Sequence, residues 1–386
     1  MQSVRVWFVL LVAIGGLCEL KAQTEYMTVG TPTGLEEEIR WRVNRGRFDT
    51  TSENLLRGTA YTNVPASSGP LAPNQDITLA ARHQSEDMAK ANLFQHTTVP
   101  GSLYYNPTTQ PNPWDRMLAE GYVWNNAGEN IAAGYIGSDA VYVAWWNSTG
   151  HRANMYNSAL REIGNGYYSW STSTYRTYYT MDLGSSANNC FFTDTLFQDA
   201  NGDGIYQQTE AVSGVAIRLL VGNNVAAYYD ISSPVGSFAV PIQSIAGGVS
   251  VQVVLSNATS SSVSLNLPRD YQNYSALTLA PGESRAYGTF TQPSTTRNIG
   301  LRDLTPLSIP VVTSPPVAII RTSPGIVLQW PSVLGLQYQP QWTADFVAWN
   351  TLTNVFMPGT GSNMTYLDLQ IPGFSTKFYR LLVRAP

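Results

Sequence analysis

Charge is scarce in this chain. Of 386 residues, 12% are Asp, Glu, Lys or Arg, about half of the roughly 25% found in an ordinary soluble domain. The formal net charge is −4, so no basic excess is available to neutralise phosphates, which argues against a nucleic-acid partner. Long apolar runs are also missing. The apolar run from Val6 to Leu17 follows Arg5 and is shorter than the roughly 20 residues a membrane span needs. With Leu20-Lys21-Ala22 after it, the segment reads as a secretory signal peptide over residues 1–22. No later stretch is apolar enough for a transmembrane segment. The mature chain is therefore expected to be secreted or associated with the cell surface. Cysteine is scarcest of all, with Cys18 and Cys190 alone. Loss of Cys18 with the signal leaves one thiol, which excludes an internal disulfide and points to a buried, inert Cys190. No repeat of fixed period is visible.

What remains is 43% apolar, enough for globular cores, and the length suggests two or three domains at about 100–200 residues each. Residues 23–185 hold all three histidines and carry mostly helical apolar spacing. Helices are predicted over 35–48 (Leu35, Ile39, Val43) and over 76–92. In the latter, Leu79, His83 and Asp87 share a face and Asp76 caps the start. Further helices start near Pro113 and run over 138–147 with Ser138 as cap, and strands follow near 160–168 and 175–183. Residues 186–305 alternate in strand fashion, as in Val249-Ser250-Val251-Gln252-Val253. Pro306, Pro310, Pro315 and Pro316 mark a linker over 306–316. Residues 317–386 return to strand patterns. The fold class expected is α+β.

Four segments of the first module stand in a telling order. They are Asp87-Met88-Ala89 with Phe94-Gln95-His96, Asp115-Arg116 with Gly121-Tyr122, Gly128-Glu129-Asn130-Ile131-Ala132-Ala133-Gly134, and Trp146-Asn147-Ser148-Thr149-Gly150-His151-Arg152-Ala153-Asn154-Met155. Ile163-Gly164-Asn165-Gly166-Tyr167 and Tyr179-Thr180-Met181-Asp182-Leu183-Gly184 complete the series. Together they resemble the CAP superfamily of cysteine-rich secretory, antigen 5 and pathogenesis-related 1 proteins, and the lack of cysteines is similar to its bacterial branch. The resemblance implies an α-β-α sandwich with a cleft holding His96, Glu129 and His151. A second family glutamate would stand at Ser148 here, and Glu162 is the nearest other carboxylate.

Two imidazoles beside a carboxylate suit a borderline divalent ion such as zinc, with His96 and His151 as metal ligands. Glu129 then has the chemistry of a general base, which makes the trio a candidate catalytic set. The blander reading has Glu129 accepting backbone N–H bonds and cross-linking loops. His83 reads as a packed helix residue and Arg152 as a structural hydrogen-bond or ion-pair partner. The aromatics Trp145, Trp146, Tyr156, Tyr167, Tyr168 and Trp170 read as core and cleft wall, with glycan stacking as the rival.

Residues Asp199 to Glu210 fit the calcium-loop pattern D-x-N-x-D-G-x5-E at every fixed position. Asp199, Asn201, Asp203 and Glu210 would supply side-chain oxygens and Ile205 its carbonyl. The flanking Phe191–Phe197 and Gly214–Leu220 segments are strand-like, so this is not an EF-hand. That context, with Gly236-Ser237-Phe238 and Asn298-Ile299-Gly300-Leu301, resembles the B-type module of bacterial surface adhesins and implies a calcium-stabilised β-sandwich. The Lys-Asn crosslink of many such modules is excluded, because residues 190–305 contain no lysine. Trp330, Tyr338, Trp342, Asp345-Phe346-Val347-Ala348-Trp349 and Phe378-Tyr379 suggest a third, small β-sandwich. The expectation is a CAP sandwich followed by two all-β sandwich-like modules. Its function is recognition of an extracellular peptide, lipid or glycan, or alternatively metal-assisted hydrolysis of such material.

Overall fold

The computed structural model describes residues 29–384 apart from 99, 103–111, 188, 222–223, 294–295, 307–316, 323–324, 333–336, 344–348 and 370–376. The signal peptide expected over 1–22, nearly all of the linker expected over 306–316, and Asp345–Ala348 lie outside the described residues. The chain divides into two compact units, with the boundary between 307 and 308.

The first unit begins with helix α1 (Gly34–Phe48). Thr33 caps it reciprocally with Glu36, whose Oε2 accepts from the Thr33 N–H at 2.7 Å, so two otherwise unpaired donors are satisfied. Short helix α2 (Thr50–Arg57) follows. Helix α3 (Gln75–Ala91) starts one residue before the expected start. Its cap is Asn74, whose side chain accepts from Ile77 N, rather than Asp76, which sits in the first turn and favours the positive helix end. Its core face is Ile77, Ala80, Ala81, Gln84 and Met88, all buried, whereas Leu79, His83 and Asp87 are half-buried. Helix α4 (Pro113–Ala119) has its proline in the first turn, where the missing N–H costs no bond. Helix α5 (Ser138–Asn147) is capped at Gly137, and the Ser138 hydroxyl instead donates to Glu38 at 2.6 Å. Helix α6 (Thr149–Met155) closes the set.

Four strands form the sheet of this half: β1 (Ala72–Pro73), β2 (Asn126–Ala133), β3 (Glu162–Ser169) and β4 (Thr177–Ser185). Their order is β1-β3-β4-β2, so β2 is an edge. The β3–β4 and β2–β4 pairs are antiparallel, and side chains alternate along each strand between two distinct faces. Tyr179, Met181 and Leu183 pack with Ile39, Val43, Tyr142 and Trp145 of α1 and α5. The alternate residues of β4, Tyr178, Thr180 and Asp182, point the other way, where Met88 and Ala89 of α3 meet Tyr178. At Gly164 and Gly166 an added Cβ would lie 2.2 Å from Thr78 N and 2.3 Å from Ala81 C. Only glycine lets α3 come this close to β3.

The β-rich half follows. A five-stranded sheet runs Thr305–Pro306, Ser284–Thr291, Ser250–Asn257, Val215–Val221, Asn224–Ile231, beside pairs Phe191–Thr195 with Ser237–Pro241 and Val263–Pro268 with Tyr274–Leu279. One apolar cluster, including Phe192, Ile217, Phe238, Val253, Leu267 and Phe290, fills it. Cys190 lies buried in the same cluster, and burial raises its thiol pKa and keeps it neutral. The helical and β-rich halves share one compact unit. Arg40 bonds Glu37 and donates to the Asp194 carbonyl at 3.1 Å, and Trp41 packs on Phe197. In the second unit, Leu328, Trp330, Tyr338 and Leu381 form the core, while Lys377 lies over Trp342 and Arg380 over Trp349. The observed class is mixed α+β, a helical half followed by a region of several β-sheets.

Candidate functional site

The edge strand β2 carries Glu129, which is 1% exposed at its side chain. The segment leaving α3 reaches it with His96. Gln84 of α3 tethers this segment by donating to the Gln95 carbonyl at 2.6 Å. The His96 ring meets Glu129 at 2.6 Å between Nδ1 and Oε1. A carboxylate can only accept, so the Nδ1 proton points at Glu129 and Nε2 is left for another partner. From α4, Arg116 donates to the His96 carbonyl at 2.9 Å and to Glu129 Oε2. Both carboxylate oxygens of Glu129 are thus engaged by side chains, not by the backbone N–H groups of the loop cross-linking reading. His96 itself is half exposed.

His151 comes from α6 on the far side of β2. Asn130 Nδ2 donates to its carbonyl at 3.0 Å, and Asn154 Nδ2 bridges the Glu129 carbonyl (3.1 Å) and Asn130 Oδ1 (2.9 Å). The His151 pKa is lowered, first by burial and then by the charge of His96, which places the two rings within electrostatic reach of each other. The structure therefore gathers His96, Glu129 and His151 about one edge of the sheet. Glu162 stays away from them, accepting from Asn74 Nδ2 at 2.8 Å and from the Tyr122 hydroxyl at 2.7 Å. Ser148 is the N-cap of α6. His83 faces Glu120 at 3.4 Å. Arg152 donates to the Trp146 carbonyl and to Asn63 and stacks over Tyr61. Tyr142, Trp145, Trp146, Tyr156 and Tyr179 are core residues, whereas Trp170 and Tyr175 are exposed.

Two members of the cluster carry no role in the sequence reading. Arg116 stands in the Asp115-Arg116 segment. Its signal was a cation between two candidate acidic or histidine positions, but its bond to Glu129 depends on β2 being a strand. Asp182 stands directly opposite Glu129 in the β2–β4 register. It is fully buried, and among the described residues neither of its oxygens has a hydrogen-bond partner. Burial, and then the adjacent Glu129 charge, push its pKa well above the usual carboxylate range.

Among the described residues no three of His, Cys, Asp and Glu converge into a cage for a metal ion. Around His96 and His151 no third ligand converges from the described residues: Glu129 is turned to the His96 ring and the Arg116 guanidinium. This donor set falls short of the three protein ligands of a catalytic zinc centre. At the Asp199–Glu210 loop the chemistry differs. Its donors are all hard oxygens, which suit calcium. Asp199 Oδ1 accepts from Gly202 N (2.9 Å) and Asp203 N (3.1 Å), and Asp203 Oδ1 from Ile205 N (2.8 Å). Glu210 Oε1 and Oε2 accept from Ala200 N and Gln207 N. Gly202 and Gly204 take φ of 76° and 70°, the left-handed turns that curl the loop around Asp199.

Residues 42–183 match the family model described as CAP, cysteine-rich secretory protein family. The chain is 37% identical over 98 residues to the uncharacterised protein YkwD of Bacillus subtilis (strain 168), covering 25% of this chain and 35% of that one. It is 33% identical over 155 residues to the uncharacterised membrane protein YlbC of the same strain, covering 39% and 38%. The matched part thus spans little more than a third of the length of these curated relatives. Among solved structures it is similar to an extracellular protein containing a SCP domain from Bacillus anthracis str. Ames, at 28% identity and a TM-score of 0.26, covering 34% of this chain and 37% of that one. The matched segment contains His96, Arg116, Glu129, His151 and Asp182, and on this match residues 42–183 are a CAP domain.

Proposed function

We propose that the protein is exported and recognises an extracellular or cell-surface ligand through a cleft walled by His96, Glu129 and His151. The observation that carries this reading is the locked state of Glu129. A carboxylate held by a histidine and a buried arginine is a fixed acceptor that orients His96, not a free base. What such an arrangement offers is a rigid polar edge with one outward imidazole nitrogen, suited to a hydrogen-bonding peptide, lipid headgroup or glycan. Export rests on the pattern of residues 1–22, and no helix among the described residues is long and apolar enough to cross a membrane. The layering of helices about the CAP sheet fits the α-β-α sandwich that the family resemblance implies.

The test is binding of the whole chain to peptide, lipid and glycan panels, repeated with His96→Ala and His151→Ala. A ligand of this cleft should lose at least about tenfold in affinity in both variants, about 1.4 kcal/mol. Ligands bound equally by all three proteins would overturn the assignment. The second reading, metal-assisted hydrolysis, draws on His96 and His151 standing at the same strand, one bonded to Glu129 and the other held through its carbonyl by Asn130. Turnover of peptide, ester or glycan substrates that disappears in His151→Ala, with circular dichroism unchanged, would replace the binding reading.

For the β-rich half we propose calcium at Asp199, Asn201, Asp203, Glu210 and the Ile205 carbonyl. The ion would stiffen a stalk of the adhesin B-type kind that carries the CAP domain. Hard oxygen donors on a glycine-curled loop between two strands support it.

A further inference from the structure

We propose that Asp182 is a protonated carboxylic acid that donates a hydrogen bond to Glu129 and acts as the positioning residue behind the His96–Glu129–Arg116 cluster. The inference rests on the geometry of the cluster and not on what the cleft binds.

Position comes first. Glu129 and Asp182 are cross-strand partners on β2 and β4, so their side chains leave the same face of the sheet side by side. Burial comes second. Asp182 is 0% exposed, and no donor among the described residues reaches either of its oxygens. An ionised carboxylate in that state would forfeit its hydration without compensation. A protonated acid needs only one acceptor, and the Glu129 carboxylate beside it has lone pairs to spare after accepting from His96 and Arg116.

Charge balance comes third. The groups facing Asp182 are Glu129 from β2 and Arg116 from α4, and Arg116 spends its bonds on Glu129, the His96 carbonyl and Thr98 rather than on Asp182. From α3, Asp87 also draws on the Arg116 charge, while its own carboxyl accepts from Ser102. The Ser85 hydroxyl from α3 bonds the Gly166 carbonyl and the Thr180 hydroxyl. From β3, Gly164 opposite Asp182 has no side chain, and Glu162 further along the strand is held by Asn74 and Tyr122. One guanidinium thus serves the two buried acids, Glu129 and Asp182, and a single shared proton reduces their charge to the one unit it can balance. The same proton keeps Glu129 anionic and turned toward His96, which fixes the imidazole proton on Nδ1 and leaves Nε2 facing out.

Two measurements decide the matter. The first is isotope-edited infrared spectroscopy of the whole chain carrying labelled aspartate, near neutral pH, in an Asp87→Asn background. A protonated-carboxyl C=O band is expected, and it should vanish when Asp182→Asn is added. The second is thermal melting of Asp182→Asn against the parent across pH. A raised native pKa means that the Asp182 contribution is full below its unfolded value and lost as pH climbs through its native value. The amide donates to Glu129 at every pH, so the melting advantage of the variant should grow as pH rises above about 4. A missing C=O band, or a difference between variant and parent that does not change with pH, would overturn the proposal. A missing band in the Asp87→Asn background overturns the proposal without any Asp182 variant, so poor folding of Asp182→Asn would not shield the idea.

Discussion

Arg116 shows how a single side chain organises the site. It is fully buried, and it ties α4 to two other pieces of chain: the segment after α3, through the His96 carbonyl and Thr98, and β2, through the Glu129 carboxylate. A planar guanidinium can do this because its donors diverge in a fixed fork, which a lysine ammonium cannot copy. Replacing it with Met keeps most of the apolar stem and deletes the cation. Glu129 would then be a buried carboxylate without a counter-charge, so Arg116→Met should cost about 3–5 kcal/mol. Urea unfolding of the whole chain measures this, and a loss below about 1 kcal/mol would show that Glu129 does not depend on Arg116. The sequence reading named His96, Glu129 and His151 because their residue types and spacing carry a family resemblance. Arg116 and Asp182 lay within the quoted segments, yet their roles exist only once β2, β4 and α4 are in register. Pairing across strands leaves no trace in a linear pattern of this kind.

At the scale of elements, the helices were legible because their apolar spacing holds over several turns. Their boundaries were set by capping atoms that spacing does not reveal, as with Asn74 at α3 and Gly137 at α5. Strand β2 was not legible, since Gly-Glu-Asn reads as a turn and its pairing energy comes from β4. Short α2 and α6 were missed for a related reason: seven or eight residues give no stable periodicity on their own. The Asp199–Glu210 loop is the opposite case, a local pattern whose glycines and Asp-backbone bonds are found as its spacing implies. If calcium binds this loop in the native state alone, the melting temperature of the whole chain must rise with calcium. At a hundredfold excess over Kd the gain is about 2.7 kcal/mol. Asp203→Ala should abolish that gain while leaving the calcium-free melting temperature nearly unchanged, because Asp203 is exposed. Unchanged melting of the parent at millimolar calcium would sink the calcium assignment.

At the scale of the molecule, scarce charge is spent inside. Arg40, Arg47, Arg82, Arg116 and Arg152 are all nearly inaccessible, each bonded to carboxylates or carbonyls rather than displayed to solvent. Other buried polar bonds knit the CAP domain to the β-rich half. Glu53 of α2 is buried among Arg45, Arg57 and the Tyr271 hydroxyl, and Arg45 also lies over the Tyr271 ring. Asn298 donates to the Pro70 and Arg161 carbonyls at 2.8 and 2.6 Å. The partners Glu53 and Tyr271 are 218 positions apart, a separation at which composition and periodicity carry no information. Halves joined by buried charge should not unfold one at a time, because opening the junction would strand Glu53 beside two arginines with its tyrosine donor gone. Calorimetry of the whole chain should therefore show the CAP domain and the β-rich half melting in one transition. Tyr271→Phe deletes the hydroxyl and keeps the ring, so it should lower stability by about 1.5–3 kcal/mol, the range for a hydrogen bond to a charged group, and move that shared transition as a whole. Separate transitions for the CAP domain and the β-rich half in the parent, or a Tyr271→Phe effect confined to one of them, would mean that the junction is a contact rather than a structural joint.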